Sequence, residues 1–358
     1  MVLRGKKGKS PPFMSQEFII QNHGDIVSCV CMVVMVGLMF QVTQPLAQTF
    51  IAAQYNVTKE ADSDSDVMYT SGVKDLCTIF FYTLCWIVLH AIIQEYILDK
   101  FNKRFHMSKT KYNKFNDSGN ILPFYLLSIW FAIEQIQKLG IMQNFSKLWE
   151  NYPAQEMSFM NKFYFILQIA YWLHCFPELY FMKVKKEDVK EKVPIYCLYL
   201  AFISAAYIMS GTRIAFLLLA IHYVPEALFD ITRIIHCAGK TDISQHGFVF
   251  WALSFVLARI ATISLAVFII GFGLSKYNVP NVDIAQGNFN TQTLRVGWLA
   301  AIVLIQAWMA WNFITFQVRR YRERTPQKKP KSDGKQEKKK KKHENGLEKS
   351  PSLKNKKE

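Results

Sequence analysis

The sequence predicts an all-α, polytopic membrane protein of about eight transmembrane helices with a disordered, basic C-terminal tail. Three observations predict it. The chain has 358 residues, 51% hydrophobic and 15% aromatic, and the apolar residues lie in long runs separated by short basic loops. Runs of that length cross a bilayer. The net charge of +16 is concentrated at one end, since residues 319–358 carry 17 Lys and Arg against 6 Asp and Glu. Such a distribution sets membrane orientation and suits an anionic partner surface; it does not make a basic DNA-binding fold. The seven cysteines, Cys29, Cys31, Cys77, Cys85, Cys175, Cys197 and Cys237, all fall in or at the edge of apolar runs, so no disulfide framework is indicated.

Residues 1–25 are polar and hold Arg4, Lys6, Lys7 and Lys9. They read as a cytosolic N-terminal segment. The first apolar run covers 26–40 and continues weakly to Phe50, with no small-residue cleavage site after a compact core. It reads as a signal-anchor helix. Residues 54–75 are acidic (Glu60, Asp62, Asp64, Asp66, Asp75) and contain the sequon Asn56, Val57, Thr58. A second span over 76–98 completes the first unit, 26–115. Residues 99–119 form a basic loop with Lys100, Lys103, Arg104, Lys109, Lys111 and Lys114. A third span over 121–139 is interrupted by Glu134, Gln135, Gln137 and Lys138, and a near-neutral loop follows over 141–158. The fourth span, 159–182, is rich in aromatics, and five lysines follow in 183–192. The fifth and sixth spans, 193–209 and 214–235, are separated by Ser210, Gly211, Thr212 and Arg213. A seventh span covers 248–274 and an eighth 294–318. Together 116–324 make one membrane domain, and 325–358 is a lysine-rich tail of disordered composition.

An even span count puts both termini on one side. The basic loops after the second and fourth spans join them there, and the acidic loop with Asn56 falls opposite, as the positive-inside rule requires. Asn56 is then a lumenal glycan acceptor, the sequon at Asn116 faces the cytosol and stays silent, and a third at Asn144 falls on the lumenal side close to a membrane end.

Polar residues inside the spans are the functional candidates. A charge at the bilayer centre costs roughly 3 kcal/mol on insertion scales, so such groups face a bundle, a partner or a watery cavity. His174 and Glu178 sit four apart around Pro177, and His222 and Glu226 repeat the pattern around Pro225. Each pair shares a helix face. Asp230 extends the second face by another turn, with Arg233 three residues on, and Arg259 lies well inside the seventh span. Satisfaction by neighbouring helices explains most such seams, and a position near the cytosolic end explains Arg233 and Asp230. Neither explains Glu226 and Arg259, which require partners; Glu226 and Glu178 are the candidates for Arg259. Di-metal bundles use Glu-x-x-His, and neither the order nor the spacing matches here. No metal and no other cofactor is expected.

Five stretches carry a resemblance: Gln21–Ser28, Gln54–Thr58, His90–Tyr96, Tyr171–Tyr180 with its His174, Pro177 and Glu178, and Gly287–Asn290. The chain resembles the translocating chain-associated membrane proteins over nearly its whole length. That resemblance implies an endoplasmic reticulum membrane protein beside the Sec61 translocon, with both termini cytosolic. Its partners would be nascent secretory and membrane chains and membrane lipids, and through the basic tail the ribosome, with no DNA. It also implies a TLC domain shared with the ceramide synthases over 116–324. Ceramide synthases carry a His pair after a basic loop, then His-Asp and a further Asp. Here Lys185, Lys186, Glu187 and Asp188 resemble the loop, but 193–199 holds no His; His222 is kept beside Tyr223, and Glu226 stands near the second Asp. Acid–base acyl transfer needs a positioned base. The expectation is therefore a non-enzymatic protein that assists signal-sequence insertion, translocation and membrane integration through a polar groove of His174, Glu178, His222, Glu226, Asp230 and Arg259. The alternative is a lipid-modifying or lipid-carrying protein of the ceramide synthase type.

Overall fold

Every predicted apolar run folds as a helix. The computed structural model describes residues 12, 15–58, 67–153, 156–284 and 287–324. The tail from 325, most of the first 14 residues and the acidic positions Glu60, Asp62, Asp64 and Asp66 lie outside the described residues.

The polar N-terminal segment contributes a short helix, α1 (Gln16–Gln21), whose N-cap Ser15 accepts from the Phe18 amide. The first membrane run is α2 (His23–Val36), closed by a 3₁₀ turn. Its weak continuation is a separate helix, α3 (Gln44–Ile51), with Pro45 in the first turn, where a missing N–H costs nothing. α4 (Asp75–Ile92) runs through a π-helical stretch at 93–98 into α5 (Asp99–Phe105). α6 (Lys109–Lys138), α7 (Phe159–Phe181), α8 (Lys186–Ile208), α9 (Thr212–Cys237) and α10 (Thr241–Ala266) follow, and α10 continues through π and 3₁₀ turns to Tyr277. The last helix is α11 (Gln292–Arg324). By contact the chain divides into two units, and 309–324 are the described part of the second.

Five of these helices are long and apolar enough to cross a membrane: those over 75–105, 186–208, 212–237, 241–277 and 292–323. His23–Met39 is shorter and apolar. α6 and α7 fall below that apolarity because they carry polar side chains into the bundle, among them Ser118, Ser128, Gln135, Lys162, Gln168, His174 and Glu178. The arrangement is that of a polytopic all-α membrane protein.

Two loop expectations need correction. The basic stretch 99–119 is helical except at 106–108, where His106 takes a left-handed φ of 47°. The lysine loop 183–192 shrinks likewise, because α8 already starts at Lys186 with Glu187 and Asp188 in its first turn. Those acids favour a helix N-terminus electrostatically. Charge in these segments therefore marks the ends of helices that outrun the apolar layer: α6 has 30 residues, about 45 Å. Prolines 177 and 225 do not end α7 or α9, which run on past them. Proline is tolerated in membrane helices where neighbours re-satisfy the freed carbonyl.

α6 packs on α9, α9 on α10, α4 on α7 and α7 on α8, while α2 lies along α4. The centre is aromatic. Phe124 stacks on Tyr171 at 3.5 Å and Trp172 on Tyr199 at 3.7 Å, with Tyr223 and Phe165 fully buried beside them. The two ends of the bundle are distinct. At one end β1 (Met68–Tyr69) pairs antiparallel with β2 (Met157–Ser158), and Asn56 bridges to Tyr69. There Tyr152 also donates to the Met209 carbonyl at 2.8 Å and Arg213 to the Lys147 carbonyl at 3.0 Å. At the other end Lys192 and Arg233 flank Asp117 at 3.2 and 3.7 Å. The paired strands and the basic residues of α8 and α9 thus occupy opposite ends.

Candidate functional site

The six polar candidates divide among three clusters. The first joins α8, α9, α10 and α11. Arg259 is 4% exposed, and its two terminal nitrogens diverge. Nη1 donates to Gln306 Oε1 at 2.8 Å, and Nη2 meets His222 Nδ1 at 3.0 Å. A guanidinium only donates, so Nδ1 of a neutral ring accepts and Nε2 carries the proton. That Nε2 lies 2.5 Å from the Tyr199 hydroxyl. Glu226, one turn along α9 and half-buried, is within Coulombic reach of Arg259. Phe255 lies beneath the guanidinium at 4.8 Å.

The second cluster holds His174 and Glu178 of α7. Glu178 Oε1 lies 3.3 Å from His90 Nε2 of α4, close enough for an ion pair though not aligned as a hydrogen bond. His174 is fully enclosed, bonded to the Tyr171 carbonyl, with its ring edge-on to His90 at 5.7 Å. Glu178 therefore faces His90, and of the two acids expected near Arg259 it is Glu226 that lies there. Asp230 makes the third cluster: Ser118 of α6 donates to its Oδ1 at 2.7 Å. Arg233 instead reaches the Lys114 carbonyl and Asp117.

Between the clusters runs an enclosed chain of hydrogen bonds. Trp172 Nε1 donates to Tyr223, Tyr223 to Gln168, and Gln168 to Ser128, at 3.3, 2.9 and 2.6 Å. Buried polar groups in such a chain are satisfied and rigid. The wall they form with Phe124 and Tyr171 separates His174 from His222.

Sequence reasoning missed the most enclosed charge of all. Lys162 is 0% exposed. Its Nζ reaches Asp75 Oδ1 at 2.7 Å and the Gln54 and Thr70 carbonyls at 2.7 Å each. Asp75 also accepts from the Tyr207 hydroxyl and the Gly72 amide at 2.8 Å. The clamp ties α4, α7 and α8 to the segment that carries the Asn56 sequon. A lysine in an apolar run was the available signal, on the same argument that picked out Arg259. His90 and Gln306 carried a weaker form of it, an uncharged polar side chain inside a predicted span, and Tyr199 carried none.

Charged side chains enclosed by long apolar helices make this a polytopic membrane protein with a polar interior. The TLC domain profile matches residues 114–315. Translocating chain-associated membrane protein 2 of Mus musculus is 44% identical over 318 residues, 89% of this chain and 85% of the relative. The protein of the same name from Homo sapiens is 42% identical over the same shares. A ceramide synthase of Gibberella moniliformis is 23% identical over 195 residues, 54% of this chain and 45% of that one. The chain belongs to the translocating chain-associated membrane protein family, within the wider set of TLC-domain proteins.

Proposed function

We propose that the chain is a non-enzymatic protein of the endoplasmic reticulum membrane that assists signal-sequence insertion, translocation and integration beside the Sec61 translocon. Both termini face the cytosol in this reading, the basic tail meets the ribosome or anionic lipid, and Asn56 carries a lumenal glycan. Family membership supports the role, and the polar interior suggests the means. Polar groups on α7, α9 and α10 lower the cost of moving the polar flanks of a nascent segment through lipid, where every unpaired polar group is expensive.

One observation carries the non-enzymatic half: His222 is engaged at both ring nitrogens. An imidazole base is oriented by a carboxylate, which also neutralises it once protonated. Here the neighbour at Nδ1 is a guanidinium, a donor that is itself cationic. The stretch 193–199, where a ceramide synthase would place its His pair, supplies Tyr199 to the other nitrogen. The rival reading, an acyl-transferring enzyme, is favoured only by the shared domain. Acyl-CoA turnover by purified protein would revive it.

The test uses proteoliposomes containing the channel, with and without this chain. Help should fall partially and cumulatively as His174, Glu178, His222 and Glu226 are made apolar. The loss should be greatest for clients with short or weak apolar signal cores, which enter lipid least readily. Equal help for strong and weak signals, or complete loss from His222→Ala alone, would count against this reading.

A further inference from the structure

The helix over 75–105 outruns the membrane. Its 31 residues make about 46 Å of helix, against an apolar layer of roughly 30 Å. Asp75 starts it in the Lys162 clamp, so the excess lies at the other end, about ten residues from Tyr96 to Phe105. That excess is not simply polar. Tyr96, Ile97, Phe101 and Phe105 are 58%, 48%, 47% and 45% exposed. Ile97, Phe101 and Phe105 recur every four residues and share one stripe, along which the two phenyl rings stack at 6.2 Å. Lys100 and Arg104 recur in the same way on the adjoining stripe, with Lys103 beyond it, and all three are exposed. The remaining face meets α6. Leu98 there is 4% exposed, packs with Phe115, and lies so close to Gly119 that a Cβ would stand 2.3 Å from its Cδ2.

Hydrogen bonds fix this orientation. Gln94, in the π-helical stretch before α5, donates to Asp99 Oδ1 at 2.8 Å and accepts from Asn120 of α6 at 3.0 Å. Tyr112 of α6 donates to the same Asp99 oxygen at 2.8 Å. The apolar and basic stripes are therefore held outward. Charge at this corner is one-sided: residues 95–114 hold six Lys and Arg against Glu95 and Asp99. Asp99 is engaged by Gln94 and Tyr112, and among the described residues none of the six bases forms an ion pair. Lys192 and Arg233, at the same end of the bundle, flank Asp117 instead. A helix with an aromatic flank beside a basic one lays the first in the acyl boundary and extends the second to phosphates. A nucleic acid would meet the bases but leave the apolar stripe in water.

We infer that the α5 corner is a binding site for anionic phospholipid headgroups. Lys100, Lys103 and Arg104 hold the headgroup phosphates, and Ile97, Phe101 and Phe105 sit in the acyl boundary beneath them. The site is separate from the basic tail and holds whether or not the chain assists translocation.

The test is photocrosslinking of the full chain in lipid nanodiscs. The probes are photoreactive phosphatidylinositol and photoreactive phosphatidylcholine, with adducts mapped by mass spectrometry. In the parent, 96–105 should take phosphatidylinositol in preference to phosphatidylcholine, and added salt should narrow the preference. Lys100→Gln, Lys103→Gln and Arg104→Gln should each lower it by up to about fivefold. The triple variant should abolish it and keep the phosphatidylcholine adducts. Changing Lys338 to Lys342 of the tail to Gln should leave the preference at 96–105 unchanged. Adducts on Leu253 and Leu257, exposed apolar residues of α10, report that the fold is kept; if the triple variant loses them, the single variants decide. Equal labelling by the two lipids in the parent would overturn the inference, as would a preference that survives neutralisation of the bases. Absence of both lipids from 96–105 would put the corner in water, assign it to an RNA or an acidic protein, and overturn the inference equally.

Discussion

Lys162 and Asp75 are the residues on which the bundle end depends most directly. Removing one partner of a buried ion pair strands the other charge, at a cost of roughly 3–5 kcal/mol, whereas removing both is far milder. Lys162→Met should therefore lower the thermal unfolding temperature in detergent more than the double change Lys162→Met with Asp75→Asn. The same logic applies to Arg259. Arg259→Leu should express poorly, and Glu226→Gln should restore it, because Glu226 lies within reach of that cation. Glu178→Gln should not, because Glu178 faces His90 at 3.3 Å. Fluorescence-detected size exclusion of the three variants reads both outcomes, and rescue by Glu178→Gln would sink the assignment.

Among the elements, α2 and the sequon strand make opposite demands on space. Gly24 of α2 lies so close to α4 that an added Cβ would stand 2.7 Å from the Ala91 Cβ. Neither atom can rotate away, so the helices must part. Gly24→Leu should loosen α2 from α4, destabilising by about 1–3 kcal/mol as overpacking does, and should raise protease access to the first span. The sequons divide in the same physical way. Asn56 is exposed and its Oδ1 accepts from the Thr58 amide at 2.9 Å, leaving the side chain at the surface. Asn116 is 5% exposed inside α6, and its sequon Ser118 is committed to Asp230. Glycosidase treatment should shift the parent and Asn116→Gln alike, and should shift Asn56→Gln by one glycan less. A shift lost only with Asn116→Gln would overturn the topology.

At the scale of the whole molecule, the polar interior is partitioned by an aromatic wall. Changes on either side of it should be nearly additive, since distant sites without shared partners behave independently. Help given to a weak-signal client by the combined His174→Leu and His222→Leu variant should match the product of the single effects. A combined loss far beyond that product would instead mean one continuous seam.

Helix positions and the polar character of the interior were legible in the chain itself. Apolar run length, helical spacing and the sign of the flanking residues are local properties that act before any helix meets another. Helix extent was less legible, because lysines at 100–114 and 183–192 suit solvated helix ends as well as loops. Partnership was legible only as far as two candidate acids for Arg259. Glu178 and Glu226 stand at equivalent places in the two repeated motifs, yet one meets His90 and the other lies by Arg259, because α7 packs on α4 whereas α9 packs on α10. Spacing along one helix assigns a side chain to a face; which helix that face meets is decided only by the packing of the whole bundle.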